Sequence, residues 1–431
     1  MSPTPTSEPA ATASSNLLIA PGSANGVPFS QWSDGDPSPM KQFVMPASDI
    51  ALAACYGGPC SAFRATPPGL FTAVTPYRLF DTRDAGLNPF GTDAPVQPGQ
   101  TLAVDLSSQP GPPDRTGVLL NVTTDQPAAA GFVRAFPCGQ EPNTSTVNFD
   151  PGQTAANLAM VMIPDNDQVC FTAFVPTHII VDVAGWFSPD SQGVGDGYVT
   201  VEPVRLFDSR QTAPLAAGEE LRFSLAGHSG FPGNASAALL NLTATEPQGP
   251  GYVKVYPCGE ENVISNVNYV AGQTVANLAA VKVAPGGDVC FKSFATTQLV
   301  VDLAGWYAPG ATGSFTATEP IRLFDTREGA VLSRFPAGEE IPYQIAGTVL
   351  VPPGATSIAL NVTATHPDGP GYVKVYPCGA NDPLVSNVNY RANQEAAANL
   401  AVVKLPADGR VCFRSFASTD AVVDLAGWYT G

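Results

Sequence analysis

Eight cysteines, three histidines and a recurring row of aromatic and basic residues are the side chains of this 431-residue chain best equipped for chemistry. The cysteines fall at Cys55 and Cys60, Cys138 and Cys170, Cys258 and Cys290, and Cys378 and Cys412, and the last three pairs are spaced 32, 32 and 34 residues apart. An even count at recurring positions reads as disulfides and as an oxidising final location. Zinc is the rival reading, but it takes three or four ligands, and no histidine or further cysteine recurs beside these pairs. His178, His228 and His366 occupy different points of the pattern, so no Ser-His-Asp or Cys-His arrangement recurs. Glu219 with Glu220 and Glu339 with Glu340 stand in turn contexts, where solvated charge is the ordinary explanation. The sequence therefore predicts no catalytic set, no metal site and no cofactor.

The aromatic row is Tyr252, Lys254 and Tyr256, repeated as Tyr372, Lys374 and Tyr376 and, more loosely, as Phe132, Arg134 and Phe136. Strand alternation sends Val253 and Val255 to one face and the row to the other. An aromatic-cation-aromatic face suits stacking on sugar rings, and it suits equally a cross-strand ladder with the cation lying over a ring. A second constellation pairs acids with arginines: Asp81 with Arg83, Asp208 with Arg210, Asp325 with Arg327, and a lone carboxylate in an apolar run at Asp182, Asp302 and Asp424. A buried carboxylate needs a partner. Asp302 is expected to meet Arg205 or Arg210 where the first and last strands pair, with matching pairs in the other copies. A calcium site from Asp208, Asp302 and Asn241 is the alternative.

These residues sit in three copies of one pattern. GPGYVKVYPCG occurs at Gly249 and again at Gly369, and the glycines Gly131, Gly251 and Gly371 are each 120 residues apart. That period is too long for a solenoid, so each copy reads as a domain. The copies run over 75–188, 202–309 and 319–431, joined by linkers rich in Gly, Ser and Thr at 189–201 and 310–318. Each is a series of about eight short strands separated by turn residues. The fold expected is all-β: three tandem β-sandwich or jelly-roll-like domains, each with one disulfide, preceded by an extended N-terminal arm over 1–73. The arm begins as a Ser/Thr/Ala/Pro-rich tract and continues with aromatics among prolines and glycines, without helical or strand periodicity.

Each copy opens on Arg-Leu-Phe-Asp-Thr/Ser-Arg, passes through LNVTT, LNLTAT or LNVTAT at Asn121, Asn241 and Asn361, carries Ala-Asn-Leu-Ala at Asn157, Asn277 and Asn399, and closes on Val-Asp-Val/Leu-Ala-Gly-Trp-Phe/Tyr. Asn121, Asn241 and Asn361 stand in sequons, yet inside predicted strands they read as hydrogen-bonding residues rather than glycan acceptors. The pattern resembles a tandem repeat of large exported actinobacterial proteins and some of their phages. That resemblance spans about three quarters of the chain and implies no catalytic residue.

Composition narrows the partners. A formal charge of −17 with no Lys/Arg cluster argues against nucleic acid, and no apolar run is long enough to span a bilayer. Met1 is followed by a tract with neither a basic start nor an apolar core, so no secretory signal is expected there. The function expected is a non-enzymatic structural or adhesion protein outside the cell, on a phage virion or an actinobacterial surface. The arm would dock on the larger assembly, in multiple copies or as a homo-oligomer. A carbohydrate-binding array contacting cell-envelope glycan, and a glycan hydrolase, are the alternatives.

Overall fold

The computed structural model describes residues 64–139, 141–329, 331–380 and 382–431, together with the backbone of five short strands nearer the N-terminus. The chain divides into two units. The first holds residues 1–64 and 348–352, where Ser15–Ile19 pairs antiparallel with Met40–Val44, and Val27–Trp32 pairs with Ser23–Ala24 and Ala54–Tyr56. Backbone pairing thus forms strands where no side-chain alternation announced them. The rest of the expected arm up to residue 63, including the side chains of Cys55 and Cys60, lies outside the described residues.

The second unit contains all three repeats. In the first, eight strands run Gly69–Asp81, Thr101–Asp105, Gly117–Asp125, Gly131–Pro137, Val147–Phe149, Ala155–Met162, Gln168–Ala173 and His178–Pro189. One sheet has the order sixth-third-eighth-first, the other fifth-fourth-seventh-second, and neighbouring strands pair antiparallel. Two four-stranded sheets interleaved in this way are a jelly roll. The same order recurs from Gly197 to Ala308 and from Ser314 to Thr430. Each sandwich is filled by alternating inward residues, in the first repeat Leu120, Val122, Val133, Phe171 and Val181 among others.

The third strand of each repeat, Gly117–Asp125, Ala237–Thr245 or Ala355–Thr365, is buried almost without a break instead of alternating. Its outer face must therefore be covered as well. It is covered by the other repeats. Leu119, Leu158, Leu239, Leu278, Ala359 and Leu400 join Phe71, Phe187, Tyr198, Tyr307, Phe315 and Tyr429 in one apolar cluster drawn from all three copies. At about 1.5–3 kcal/mol for each large side chain taken fully from water, this shared cluster is comparable in weight to a sandwich core.

The copies consequently do not stand as separate domains joined by loose linkers. The first strands begin at Gly69, Gly197 and Ser314, inside the expected arm and linkers, because their starts build the inter-repeat contacts. Phe71 and Asp196 exchange both backbone hydrogen bonds, at 2.9 and 2.8 Å; Tyr198 N–H donates to the Gly313 carbonyl at 2.7 Å; and Phe315 pairs with Gly69. The three aromatics are equivalent, and each partner lies two residues before the next equivalent aromatic. The chain thus closes a ring of three around a pseudo-threefold axis, by head-to-tail contacts that close on themselves. Gly197 and Gly313 permit the approach: a Cβ would lie 1.9 Å from the Ala311 carbonyl oxygen and 2.2 Å from that of Tyr198, respectively.

Candidate functional site

The recurring motifs converge on the surfaces between repeats. At one end of the axis the aromatic residues that open the first strand and close the eighth stack across the boundaries. Ring centroids lie 4.2 Å apart for Phe71 and Tyr307, 4.3 Å for Tyr198 and Tyr429, and 4.6 Å for Phe315 and Phe187. The Tyr307 and Tyr429 hydroxyls share a hydrogen bond of 2.5 Å. The Ala-Gly-Trp step of the closing motif makes room for this hub: a Cβ at Gly185 would meet the Phe71 ring at 2.2 Å, and Gly305 holds φ +155° beside the Tyr198 hydroxyl.

Next along the axis is a ring of asparagines. The sixth strand lies at the open edge of its sheet, and its Leu158, Leu278 and Leu400 N–H groups need acceptors. They find Asn277, Asn399 and Asn157 Oδ1, each from another repeat, at 3.1, 2.9 and 2.8 Å. The carboxamide nitrogens of these asparagines donate to Asn121 Oδ1 (3.2 Å, from Asn277), Asn241 Oδ1 (3.0 Å, from Asn399) and Asn361 Oδ1 (2.7 Å, from Asn157). Asn121, Asn241 and Asn361 in turn donate to the Ser265, Ser386 and Ser145 carbonyls of the following repeat, at 2.8, 2.8 and 2.6 Å. The Ala-Asn-Leu-Ala step at Asn157, Asn277 and Asn399 marked the repeat in the sequence but carried no role there. The available signal was an asparagine in an apolar run in every copy, but sequence spacing carries no distance between copies.

The arginine–aspartate constellation sits on the same sheet. Arg78 Nε donates to Asp182 Oδ1 at 2.6 Å, and Arg205 and Arg322 bond Asp302 and Asp424 in the same way. Asp182 and Asn121, Asp302 and Asn241, and Asp424 and Asn361 face each other across neighbouring strands, so the ion pairs continue the asparagine network. Arg205 also reaches the Leu384 carbonyl of the third repeat at 2.9 Å. Asp81, Asp208 and Asp325 bond Arg83, Arg210 and Arg327 as well as the first arginine of their motif. The arginines occupy the carboxylate oxygens that the calcium reading required.

Sharing one guanidinium between two acids leaves the inner carboxyl under-compensated. Burial pushes Asp182 and Asp302 up to about 6, against the pull of Arg78 and Arg205, and raises Asp424 too. For Asp208, hydrogen bonds from Arg210 lower the value. For Asp81 and Asp325, burial alone would raise it, but bonds from Arg83 and Arg327 win. A carboxyl raised on folding binds its proton more tightly in the folded state, so its contribution is full below the unfolded value near ~4 and is lost as pH rises through about 6. Thermal stability is expected to rise from pH 7 to about pH 5, then fall as the lowered group of Asp81, Asp208 and Asp325 takes up protons. Falling net charge acts in the same direction above pH 5, so Asp302→Asn is the discriminating variant: it should flatten the rise measurably.

Of the two readings of the Tyr/Lys/Tyr row, sugar platform or cross-strand ladder, its burial favours the ladder. Tyr256, Tyr376 and Phe136 are 0%, 1% and 2% exposed, and Lys254 and Lys374 are 8% and 7% exposed. The tyrosine hydroxyls donate to Glu220 Oε2 at 2.6 Å and Glu340 Oε2 at 2.7 Å, so the second acid of each Glu-Glu pair is engaged rather than free. Lys254 donates to the Asn262 carbonyl, Lys374 to the Pro383 carbonyl, and Arg134 to the Thr144 carbonyl. These cations staple the loop whose serine carbonyl receives the neighbouring repeat's asparagine. Phe132, Tyr252 and Tyr372 stay half-exposed, each against another aromatic, Phe174, Phe294 and Phe416, and Arg134 is half-exposed too. The row is a structural ladder, and its buried hydroxyls and ammonium groups are not disposed to meet a sugar.

Disulfides join Cys138 to Cys170, Cys258 to Cys290 and Cys378 to Cys412, each tying the residue just past the fourth strand to the seventh strand with Cα atoms 4.9 Å apart. In the chain-entropy account each loop of 32 to 34 residues adds roughly 3–4 kcal/mol. Reductant should therefore move the urea midpoint downward in proportion to the bridges opened, counted by thiol labelling.

No family model matches the chain, and no curated protein matches it. Two solved structures align over 86% of this chain and 91% of their own at 9% identity, one described as the atomic structure of Sulfolobus turreted icosahedral virus and the other as the triple jelly roll fold and turret assembly in an archaeal virus. Their TM-scores are 0.19, a level that carries no argument about this chain. Among the described residues no helix is long and apolar enough to cross a membrane.

Proposed function

We propose that the chain is a non-enzymatic structural protein displayed outside the cell, on a virion or an actinobacterial surface. Its three jelly rolls act as one rigid block, and its N-terminal segment docks that block on a larger assembly. The observation that supports this reading is the closed ring. Conserving the same buried asparagines, ion pairs and aromatic hub in every copy spends the recurring motifs on holding the copies together. A chain used as a string of independent binding modules would have no need of that. The reading replaces an array projecting in series with a compact block carried by an anchor, and three disulfides suit an oxidising exterior.

The test deletes residues 1–64, leaving intact the strand that starts at Gly69. The truncated chain should keep the melting temperature of the block and fail to incorporate into particles or remain on cells. Incorporation at the level of the full chain would sink the anchoring reading.

A further inference from the structure

At the polar end of the axis, beyond the asparagine ring, the three repeats line a partly open cavity of about 30 Å³. Asn148, Asn268 and Asn389 line it, with Gln153, Gln273 and Gln394. We propose that this cavity is a binding site for one small inorganic anion of halide size, held by carboxamide N–H groups from all three repeats.

The glutamines set the polarity. Gln153, Gln273 and Gln394 Oε1 accept the backbone N–H of Asp150, Val270 and Arg391 at 2.9, 3.0 and 3.0 Å. A backbone N–H can only donate, so each bond fixes which end of the carboxamide is oxygen and leaves Nε2 as a donor. Gln394 Nε2 reaches the Ala396 carbonyl at 3.3 Å, while among the described residues no bond holds Gln153 or Gln273 Nε2. The asparagines point the same way: Ser145 Oγ and Ser386 Oγ donate to Asn148 and Asn389 Oδ1 at 2.9 and 3.2 Å. Asn268 is 9% exposed, and its Nδ2 is buried with no partner at all.

A buried donor without an acceptor costs about 1–3 kcal/mol, so its retention calls for an occupant. Side-chain donors converging from three repeats suit a species that only accepts hydrogen bonds. No carboxylate lines the cavity, and the nearby charges cancel, Arg391 pairing with Asp150 across the boundary at 2.6 Å. A space of this size admits a monatomic anion. Internal comparison agrees: the residue three before each glutamine has drifted to Asp150, Val270 and Arg391, whereas the asparagine and the glutamine are kept in every copy.

The full chain crystallised from sodium bromide should show an anomalous peak on the axis within hydrogen-bond reach of the glutamine Nε2 atoms. In solution, bromide should raise the melting temperature by about 2–4 °C over sodium gluconate at equal ionic strength. Gln273→Glu keeps the acceptor for Val270 N–H and places a negative charge in the site, so it should abolish both the peak and the halide-dependent rise. Ordered water without an anomalous peak in the unmutated protein would overturn the proposal. So would a peak with no halide-dependent rise, which would mark an adventitious ion only, or a rise that Gln273→Glu leaves unchanged.

Discussion

Replacing Asn277 with alanine is expected to destabilise the whole three-repeat block by about 3–6 kcal/mol, although the side chain touches no solvent and belongs to no sandwich core. Asn277 Oδ1 takes the Leu158 N–H of the first repeat, and its Nδ2 supplies Asn121 Oδ1 of that repeat and the Asn266 carbonyl of its own at 2.6 Å. Truncation orphans all three groups, at about 1–3 kcal/mol each, and the smaller end of the range applies because water can enter from the adjoining cavity that Asn277 lines. Against a typical stability of about 5–15 kcal/mol this is a large fraction. Asn157→Ala and Asn399→Ala should cost the same within error, because the ring gives them equivalent partners. Urea unfolding followed by tryptophan fluorescence reads the effect, and the transition should stay single because the damage falls on a boundary shared by all repeats. A cost below about 1 kcal/mol, or a variant in which one repeat melts alone, would show that the ring is not what couples them.

How far these features could be read in advance follows from what each one depends on. Asp302 in LVVDLAGWY demanded a cation, and the Arg205–Asp302 contact between first and last strands is the one that local chemistry required. Alternation placed Val253 and Val255 in the core, and it put Tyr256 on the opposite face. What covers that face is Glu220 and a loop stapled by Lys254, an arrangement that depends on loop course and not on period. The linkers misled for a related reason. Glycine-rich segments around Gly197 and Gly313 read as linkers, but glycine is there because two backbones meet at a distance no Cβ tolerates. The cyclic arrangement had no local signature, since it concerns distances between copies. Its one trace was that Asn121, Asn157 and their equivalents recur in apolar runs, and a buried carboxamide with four hydrogen-bonding positions cannot be satisfied by its own strand.

The ring makes a second prediction with an effect as large. A fragment of residues 196–309, the second repeat with its Cys258–Cys290 bridge, should not exist as a folded monomer. Its outer face would expose Tyr198, Ala237, Leu239, Leu278, Ala280, Ala304 and Tyr307, all under 10% exposed in the full chain, leave the Leu278 N–H without its acceptor, and strip the Asn277 carboxamide of its bonds to Leu158 and Asn121. A contiguous apolar face of that kind is what monomeric proteins avoid. Yet every contact it loses is head-to-tail and has an equivalent in its own sequence: Tyr307 stands where Tyr429 does against Tyr198, Asn241 where Asn121 does against Asn277, and Asp196 where Gly313 does against the first strand. Three copies can therefore rebuild the ring without a covalent link. At high concentration the fragment should sediment as a trimer, and its melting temperature should climb with concentration, since folding and association become one equilibrium. A monomer with a sharp, concentration-independent transition would show that one jelly roll is stable by itself, and the inter-repeat network would then be adhesion between finished domains instead of a condition of the fold.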